Sequence, residues 1–539
     1  MHKDNPIENT PSQIRLPILL TLVLVGGILL GATIFGGNHK KISEGSQKIR
    51  EILAYIEQNY VDSVNTEELV NYSIDKMLEK LDPHSAYIAA KDVAVANTQL
   101  EGDFEGIGVE FSIFRDTLHV GVAIVGGPAE IVGVQAGDKI VKVDDQNIAG
   151  ASAKLDNRKI FKWLRGKKGS KVKLGVLRRG EKKIRYFTVT RDKIPTHSVE
   201  IALMIDAQTG FLKVSRFSAN TYAEFKEALT KLKKQGMQRL ILDLRDNPGG
   251  YMDRAVNMVD ELLAGKGKIV YTDGKGTRFD SESRAKINGI FETGALIVLI
   301  NEGSASASEI MAGALQDHDR ALLVGRRSFG KGLVQMPIDL ADGSELRLTI
   351  SRYYTPSGRS IQKPFENYAD DMKKRFEKGE MFAKDSIKFD KKKQYTTTHG
   401  RKVYGGGGIT PDVFVPLDSA KYTYLNQLYE HNILREYALY YAQDNASSLQ
   451  KMSLENFRKD FQITEKMFSK VNEMAKNAGI LLDEKQFRAS KSVIALHIKA
   501  LTAKSIWKNE GFYLVMLQED DIYQTALKQF EEAEKLLNR

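Results

Sequence analysis

The chain has no cysteine in 539 residues. That excludes disulfides, thiolate zinc sites, iron–sulfur clusters, a cysteine nucleophile and a lipid-modified N-terminal cysteine. It leaves the redox compartment open. Internal repeats and low-complexity tracts are also absent. Long apolar runs are nearly so: a mean hydropathy of −0.33 excludes a polytopic membrane protein. One run stands apart. Residues 16–37 read LPILLTLVLVGGILLGATIFGG, with no charge. About 20 such residues can cross a roughly 30 Å hydrocarbon core as a helix. Pro17 lies near its start, where proline costs little. A cleaved signal peptide is the competing reading. No A-x-A-like site follows the run, so it is read as an uncleaved transmembrane signal anchor after a short flank at 1–15. Lys3 and Arg15 precede it, and Lys40, Lys41, Lys48 and Arg50 follow it. Flanking charge therefore does not settle the topology. The short flank fits an anchor with the bulk of the chain exported.

What is present suits a multi-unit globular protein. Hydrophobic residues are 42% and aromatics 9%, enough for real cores. At roughly 100–200 residues per domain, the length suggests about three to five units. The net charge of +10 is uneven, because residues 154–193 hold 16 Lys/Arg against 3 Asp/Glu. Such a patch could attract nucleic acid, anionic lipid or acidic peptide tails. No base-stacking aromatics interleave it, so it is read as the solvated face of one small domain, with no nucleic-acid partner.

Periodicity divides the chain. Residues 42–100 begin with helical spacing: Ile49, Ile52, Leu53, Ile56 and Tyr60, then a second helix over 66–81 that stops at Asp82-Pro83-His84-Ser85. Residues 101–193 alternate short β-type runs (106–111, 118–124, 138–145, 171–178, 183–190) with Gly-rich turns, and a short helix is expected at 128–136 and a longer one at 154–164. Together they predict one compact α+β domain. Residues 194–418 alternate strand and helix, an α/β layout with a mainly central sheet. A polar, Lys-rich insertion or lid is expected at 363–404. Residues 419–539 are helical in pattern throughout. The helices at 42–82 and 419–539 carry enough apolar face either to pair with a second copy, as a homodimer, or to pack on the core.

Three clusters follow predicted buried strands, where sites form in open α/β sheets: Asp243-Leu-Arg-Asp-Asn-Pro-Gly-Gly250, Asn301-Glu-Gly-Ser-Ala-Ser-Ala-Ser-Glu309 and Ser328-Phe-Gly-Lys-Gly332. Ser304, Ser306 and Ser308 lie between a strand and a helix, where the helix dipole and unpaired N–H groups favour a nucleophile and an oxyanion. N-capping alone explains one serine; three alternating with alanine exceed it. A serine needs a base. His318, 12 positions after Ser306 on the same predicted helix, would be roughly 18 Å away by helix rise. Lys331, alone between two glycines, is the better candidate, provided burial holds it neutral; the competing fate is an exposed turn lysine. Residues 325–332 depart from a P-loop at Gly332, which replaces the Ser/Thr, and strand follows where phosphate binding needs a helix. No H-E-x-x-H occurs, and Asp243 and Asp246 lack histidine partners, so neither metal nor cofactor is expected.

These clusters, with Tyr353-Tyr-Thr-Pro-Ser-Gly-Arg-Ser360 and Gly408-Ile-Thr-Pro-Asp412, resemble the carboxyl-terminal processing peptidases, the tail-specific serine proteases of family S41, over residues 45–415. The resemblance implies an α/β peptidase core at 194–418 with an inserted α+β PDZ domain at 101–193, between helical N- and C-terminal regions. It implies a serine endopeptidase acting on proteins or peptides with free C-termini, with an extracytoplasmic, periplasmic catalytic part held at the inner membrane. Ser306 would be nucleophile, Lys331 base and Gln335 the residue orienting that base. Backbone N–H groups of Ala307, Gly249 and Gly250 would form the oxyanion hole. Gly106-Ile107-Gly108-Val109 matches the PDZ carboxylate-binding loop, and Arg165 stands where some members carry an arginine linking peptide binding to activation. The alternative is a non-catalytic PDZ scaffold with a peptidase-like fold. The insertion and the last 120 residues or so match no motif of the family.

Overall fold

The computed structural model describes residues 21, 42–150, 155–366 and 368–537. The expected anchor at 16–37 lies outside them apart from Thr21. Among the described residues no helix is long and apolar enough to cross a membrane. The chain forms two units, 1–81 and 82–539.

In the first unit, residues 42–59 are helical and a second helix spans Thr66–Leu78. Asn65 caps the second helix by accepting from the Glu68 N–H at 3.2 Å. Ile49, Ile52, Tyr55 and Tyr60 are exposed.

The second unit contains a five-strand antiparallel ladder in the order Val109–Phe114, Thr117–Ala123, Lys139–Val143, Lys171–Leu177, Arg185–Thr190. Leu118, Val120, Ile140, Val172, Leu174 and Val189 fill its core with no exposed surface. The strand expected from residue 106 starts at Val109, because Gly108 takes a φ of +76° and breaks the extended run. Gly106 instead ends a separate strand, Asp103–Gly106, paired with Asp192–Pro195. Among the described residues the edge strand Val109–Phe114 pairs only with Thr117–Ala123, leaving its other side toward the helix Asn157–Leu164, whose Phe161 meets Phe111 edge-on at 5.9 Å.

Apart from a two-stranded pair, Gln394–Thr396 with Lys402–Tyr404, the described remainder is built on two larger sheets, where the sequence suggested a mainly central one. The first runs Val199–Met204, Thr209–Val214, Arg239–Asp243, Leu296–Ile300, Leu322–Gly325, Val413–Phe414, and is parallel after its first pair. One face packs on the helices Thr221–Lys234, Met252–Asp260 and Ala307–Asp317. The other is covered by the chain's last helices, through Leu517, Ile522, Tyr523, Phe530 and Leu536. Thus part of the 419–539 region packs on the core. The rest gathers its own core, including Leu428, Leu434, Phe468, Val471 and Ile494, around the long kinked helix Glu484–Met516. The second sheet is antiparallel and centres on Glu345–Tyr354, flanked by Leu333–Asp339, Ala86–Ile88 and Lys268–Gly274. The long alternating run at 343–355 belongs here, half-buried along much of its length.

Candidate active site

Ser306 stands at the junction of the buried strand Leu296–Ile300 and the helix Ala307–Asp317. Its φ of 55° and ψ of −115° are strained for a side-chain-bearing residue, at a cost of about 1–3 kcal/mol. Three interactions lock the turn. Ser304 Oγ donates to the Leu244 carbonyl at 2.8 Å, Ser308 Oγ to the Asn247 carbonyl at 2.9 Å, and the Ala305 N–H to that same carbonyl at 2.9 Å. The two flanking serines therefore tie the turn to the 243–250 loop. Gly249 comes so close that a Cβ there would lie 2.7 Å from Ser306 Cβ, so no other residue fits.

The expected oxyanion donors divide. The Ala307 and Gly250 N–H groups have no hydrogen-bond partner among the described residues. The Gly249 N–H does: it donates to Asn247 Oδ1 at 2.9 Å. Gly249 is thus corrected from free donor to close-approach residue.

Lys331 lies on the Phe329–Gly332 turn. Burial pulls its ammonium below the ordinary lysine range, against the opposing pull of Glu309 and Asp82; Arg347 adds to the lowering. The ammonium makes no hydrogen bond or ion pair among the described residues. The residue is half-buried, neither fully enclosed nor an exposed turn lysine.

Beneath both residues is Glu309, with no exposed surface. Its Oε2 accepts from the Ser306 N–H and the Lys331 N–H, each at 2.9 Å. Its Oε1 accepts from the Gly330 N–H at 2.7 Å and Ser328 Oγ at 2.5 Å. Desolvation pushes this carboxyl up to about 7, opposed by those four hydrogen bonds. Above, the buried Tyr353 hydroxyl reaches the carbonyls of Lys331 at 2.5 Å and Ser306 at 3.0 Å. One carboxylate oxygen and one phenol therefore hold the two backbones together.

The side chains are less closely joined. Ser306 Oγ and Lys331 Nζ are not hydrogen-bonded, nor is Gln335 bonded to Lys331. Gln335 Nε2 donates to Thr349 Oγ1 at 3.2 Å, across the strand pair that carries both residues. His318 caps its helix and bonds the Lys268 carbonyl at 2.6 Å, away from the serine. No metal-binding cluster occurs among the described residues.

Three residues of this site escaped the sequence reading. Glu309 had a signal, since Ser306-x-x-Glu309 is the capping-box spacing. Tyr353 lay in a quoted motif without an assigned role. His84 looked like a helix stop; it lies near Lys331, and burial, with that lysine's charge, pulls it down to about 4.

In the small domain, the Ile107 and Gly108 carbonyls accept from the Ala129 and Ile124 N–H groups at 2.9 and 3.0 Å. Their own N–H groups have no partner among the described residues. Arg165 is sandwiched, its guanidinium carbon 4.2 Å from the Phe161 ring and 4.7 Å from Phe104. It donates to Thr98 Oγ1 at 3.0 Å.

Comparison with known proteins shows the family. Residues 208–372 match the model of peptidase family S41, 119–178 a PDZ domain, 35–92 the "activating protease CtpB N-terminal domain" and 424–508 a family of unknown function. A carboxy-terminal-processing protease of Bartonella bacilliformis is 35% identical over 339 residues, covering 62% of this chain and 76% of the relative. A probable CtpA-like serine protease of Staphylococcus aureus is 34% identical, covering 63% and 68%. A solved structure, a photosystem II D1 C-terminal processing protease, is 29% identical over 68% of this chain and 86% of that one, with a TM-score of 0.35. The chain belongs to peptidase family S41, among the carboxyl-terminal processing proteases.

Proposed function

We propose that the protein is a serine endopeptidase that reads substrate C-termini with its PDZ domain and cleaves with a Ser306–Lys331 dyad. The observation that carries the reading is Lys331: a half-buried ammonium with no partner among the described residues, whose backbone shares a carboxylate oxygen with that of Ser306. Burial pulls the amine downward, toward the neutral form that a base needs.

The peptide chain end docks on the unpaired N–H groups of Ile107 and Gly108 and adds as a strand beside Val109–Phe114. A short approach of Nζ to Oγ precedes chemistry, because apo dyads commonly tighten only with substrate. Gln335 exchanges Thr349 for Lys331 in the same step. Lys331 then takes the Ser306 proton as Oγ attacks the scissile carbonyl. The Ala307 and Gly250 N–H groups receive the oxyanion. Lys331 protonates the leaving amine, and water, deprotonated by Lys331, releases the acyl group. The scheme calls for no metal or cofactor. Arg165, held between two rings beside the carboxylate loop, reports docking. The run at 16–37 anchors the chain in the inner membrane with the protease in the periplasm, and the exposed apolar residues at 49–60 suit a second copy.

The test uses the full chain in detergent with an unfolded protein substrate. Wild type is expected to cut; Ser306→Ala and Lys331→Ala are expected to lose turnover by at least about a thousandfold while staying folded. Amidating the substrate's C-terminus should weaken cutting. Wild-type rates in Lys331→Ala would sink the dyad. Binding without cutting by wild type would favour the scaffold alternative.

A further inference from the structure

The insertion after the Tyr353–Ser360 motif does not stand off from the site. We infer that Lys363, Tyr368, Arg375 and Glu380 of this insertion brace the turn carrying Lys331, with Arg375 as the positioning residue; this rests on the dyad reading.

Arg375 is 5% exposed although it lies on a short helix of an otherwise polar, Lys-rich segment. Its Nη2 donates to the Arg327 carbonyl at 2.8 Å and its Nη1 to the Ser328 carbonyl at 3.1 Å. Its Nε donates to Glu380 Oε1 at 2.8 Å. Glu380 in turn takes both ends of the Arg327 guanidinium at 2.6 and 2.7 Å. The guanidinium fork therefore grips two successive carbonyls leading into the Lys331 turn, a geometry that an ammonium cannot reproduce.

The next loop residues are held by the same segment. The Lys363 N–H donates to the Gly330 carbonyl at 3.0 Å. Lys363 is 4% exposed, and its ammonium sits 3.8 Å from the Phe329 ring centroid and 4.2 Å from that of Tyr368. Tyr368 Oη lies 2.6 Å from His84 Nε2. Carbonyls 327, 328 and 330 and the ring of 329 thus all rest on the insertion.

The consequence concerns water. Lys331 faces Glu309 from the helix behind it, Asp82 and His84 from the segment before Ala86–Ile88, and Arg347 from the long strand. On the insertion side, Tyr368 bonds His84 and Lys363 packs on the rings of Phe329 and Tyr368. Of these only Glu309 and Asp82 favour the ammonium, and both have their oxygens occupied by other donors. What pulls the amine down is burial, so a loosened turn lets water in and returns Lys331 toward the ordinary lysine range.

Arg375→Ala in the full-length protein tests this. Turnover at neutral pH should fall at least about tenfold with KM within about twofold, and the acid limb of the kcat/KM profile should move to higher pH by about one unit. Arg375→Lys, reaching one carbonyl, should fall between. A merely structural arginine would lower the fraction of active enzyme, which scales the whole profile and leaves its midpoint in place; an unmoved midpoint overturns the proposal. Should Arg375→Ala not fold, Lys363→Met decides by the same midpoint. Lys331→Ala and Ser306→Ala run alongside: turnover in either would mean that the dyad reading failed, whatever Arg375 does.

Discussion

Two buried carboxylates at the same end of the central sheet meet opposite fates. Asp243 ends the strand Arg239–Asp243 and is 1% exposed. Arg245 grips both of its oxygens at 2.9 and 2.7 Å, and Lys213 lies 3.4 Å away. Those cations hold its carboxyl down at about 2, despite desolvation. Arg245 also reaches Asp520 at 2.7 Å, so the cluster fastens the C-terminal helices to the sheet. Glu309 is as deeply buried but has no ion pair among the described residues, and its oxygens are spent on three backbone N–H groups and a hydroxyl. Its carboxyl is pushed up to about 7. The difference lies in which donors fill the lone pairs. At Asp243 cations do, and the result is a rigid, permanently charged joint. At Glu309 the backbone does, which leaves Lys331 nearby without the partner that would lock it protonated.

The largest expected effect comes from breaking the joint. Asp243→Asn leaves Arg245 and Lys213 short of a counter-charge in a buried place, at about 3–5 kcal/mol. Urea unfolding measures it. A loss below about 1 kcal/mol would mean that the cluster is far wetter than its burial indicates, and the contrast with Glu309 would collapse.

Acidity separates the two sites next. Asp243 has a folded value below its unfolded one, so its stabilisation is complete above about pH 4 and is lost as pH falls toward 2. That amounts to about 2 kcal/mol at 1.36 kcal/mol per unit. Glu309 is raised, so the folded state holds its proton more tightly and its charging opposes stability as pH rises from about 4.5 through 7. Stability against pH should therefore climb from 2 to 4 and carry a downward contribution from 4.5 to 7. Glu309→Gln should flatten the second slope alone. If it flattens the first, the assignment of the two carboxylates is reversed.

The sequence made the site's chemistry legible where residue type alone carried it. The S-A-S-A-S turn, the Phe329-Gly-Lys331-Gly332 turn and the Gly249-Gly250 turn each announce a backbone constraint, and the structure brings all three together. What could not be read was who holds them. Glu309, Tyr353 and Arg375 act on backbone atoms contributed by residues up to 48 positions away, and no local period marks such partners. Gly249 shows the same limit from the other side. A glycine at a turn announces either a free N–H or a close approach, and only the position of Asn247 Oδ1 decides between them. The second sheet was hidden because an alternating half-buried strand looks alike in either sheet.

The smallest effect is the sharpest test of the contrast. Tyr353 stays protonated, since burial and the nearby Glu309 push its phenol well above the ordinary range. It therefore has one hydrogen for two carbonyls. The Ser306 carbonyl also receives the Glu309 and Ile310 N–H groups at 2.8 and 3.0 Å, whereas the Lys331 carbonyl has no other donor among the described residues. Tyr353→Phe should orphan the Lys331 carbonyl and cost about 1–2 kcal/mol. If neutral donors exist at this site to hold the Lys331 backbone while leaving its amine free, turnover should fall about three- to tenfold while affinity for a free-tailed peptide, which belongs to the PDZ loop, stays put. Stability lost with turnover intact would make the phenol a core strut only. Turnover lost as completely as in Lys331→Ala would place the hydroxyl in the chemistry itself, and the phenol could no longer be described as a holder of the Lys331 backbone.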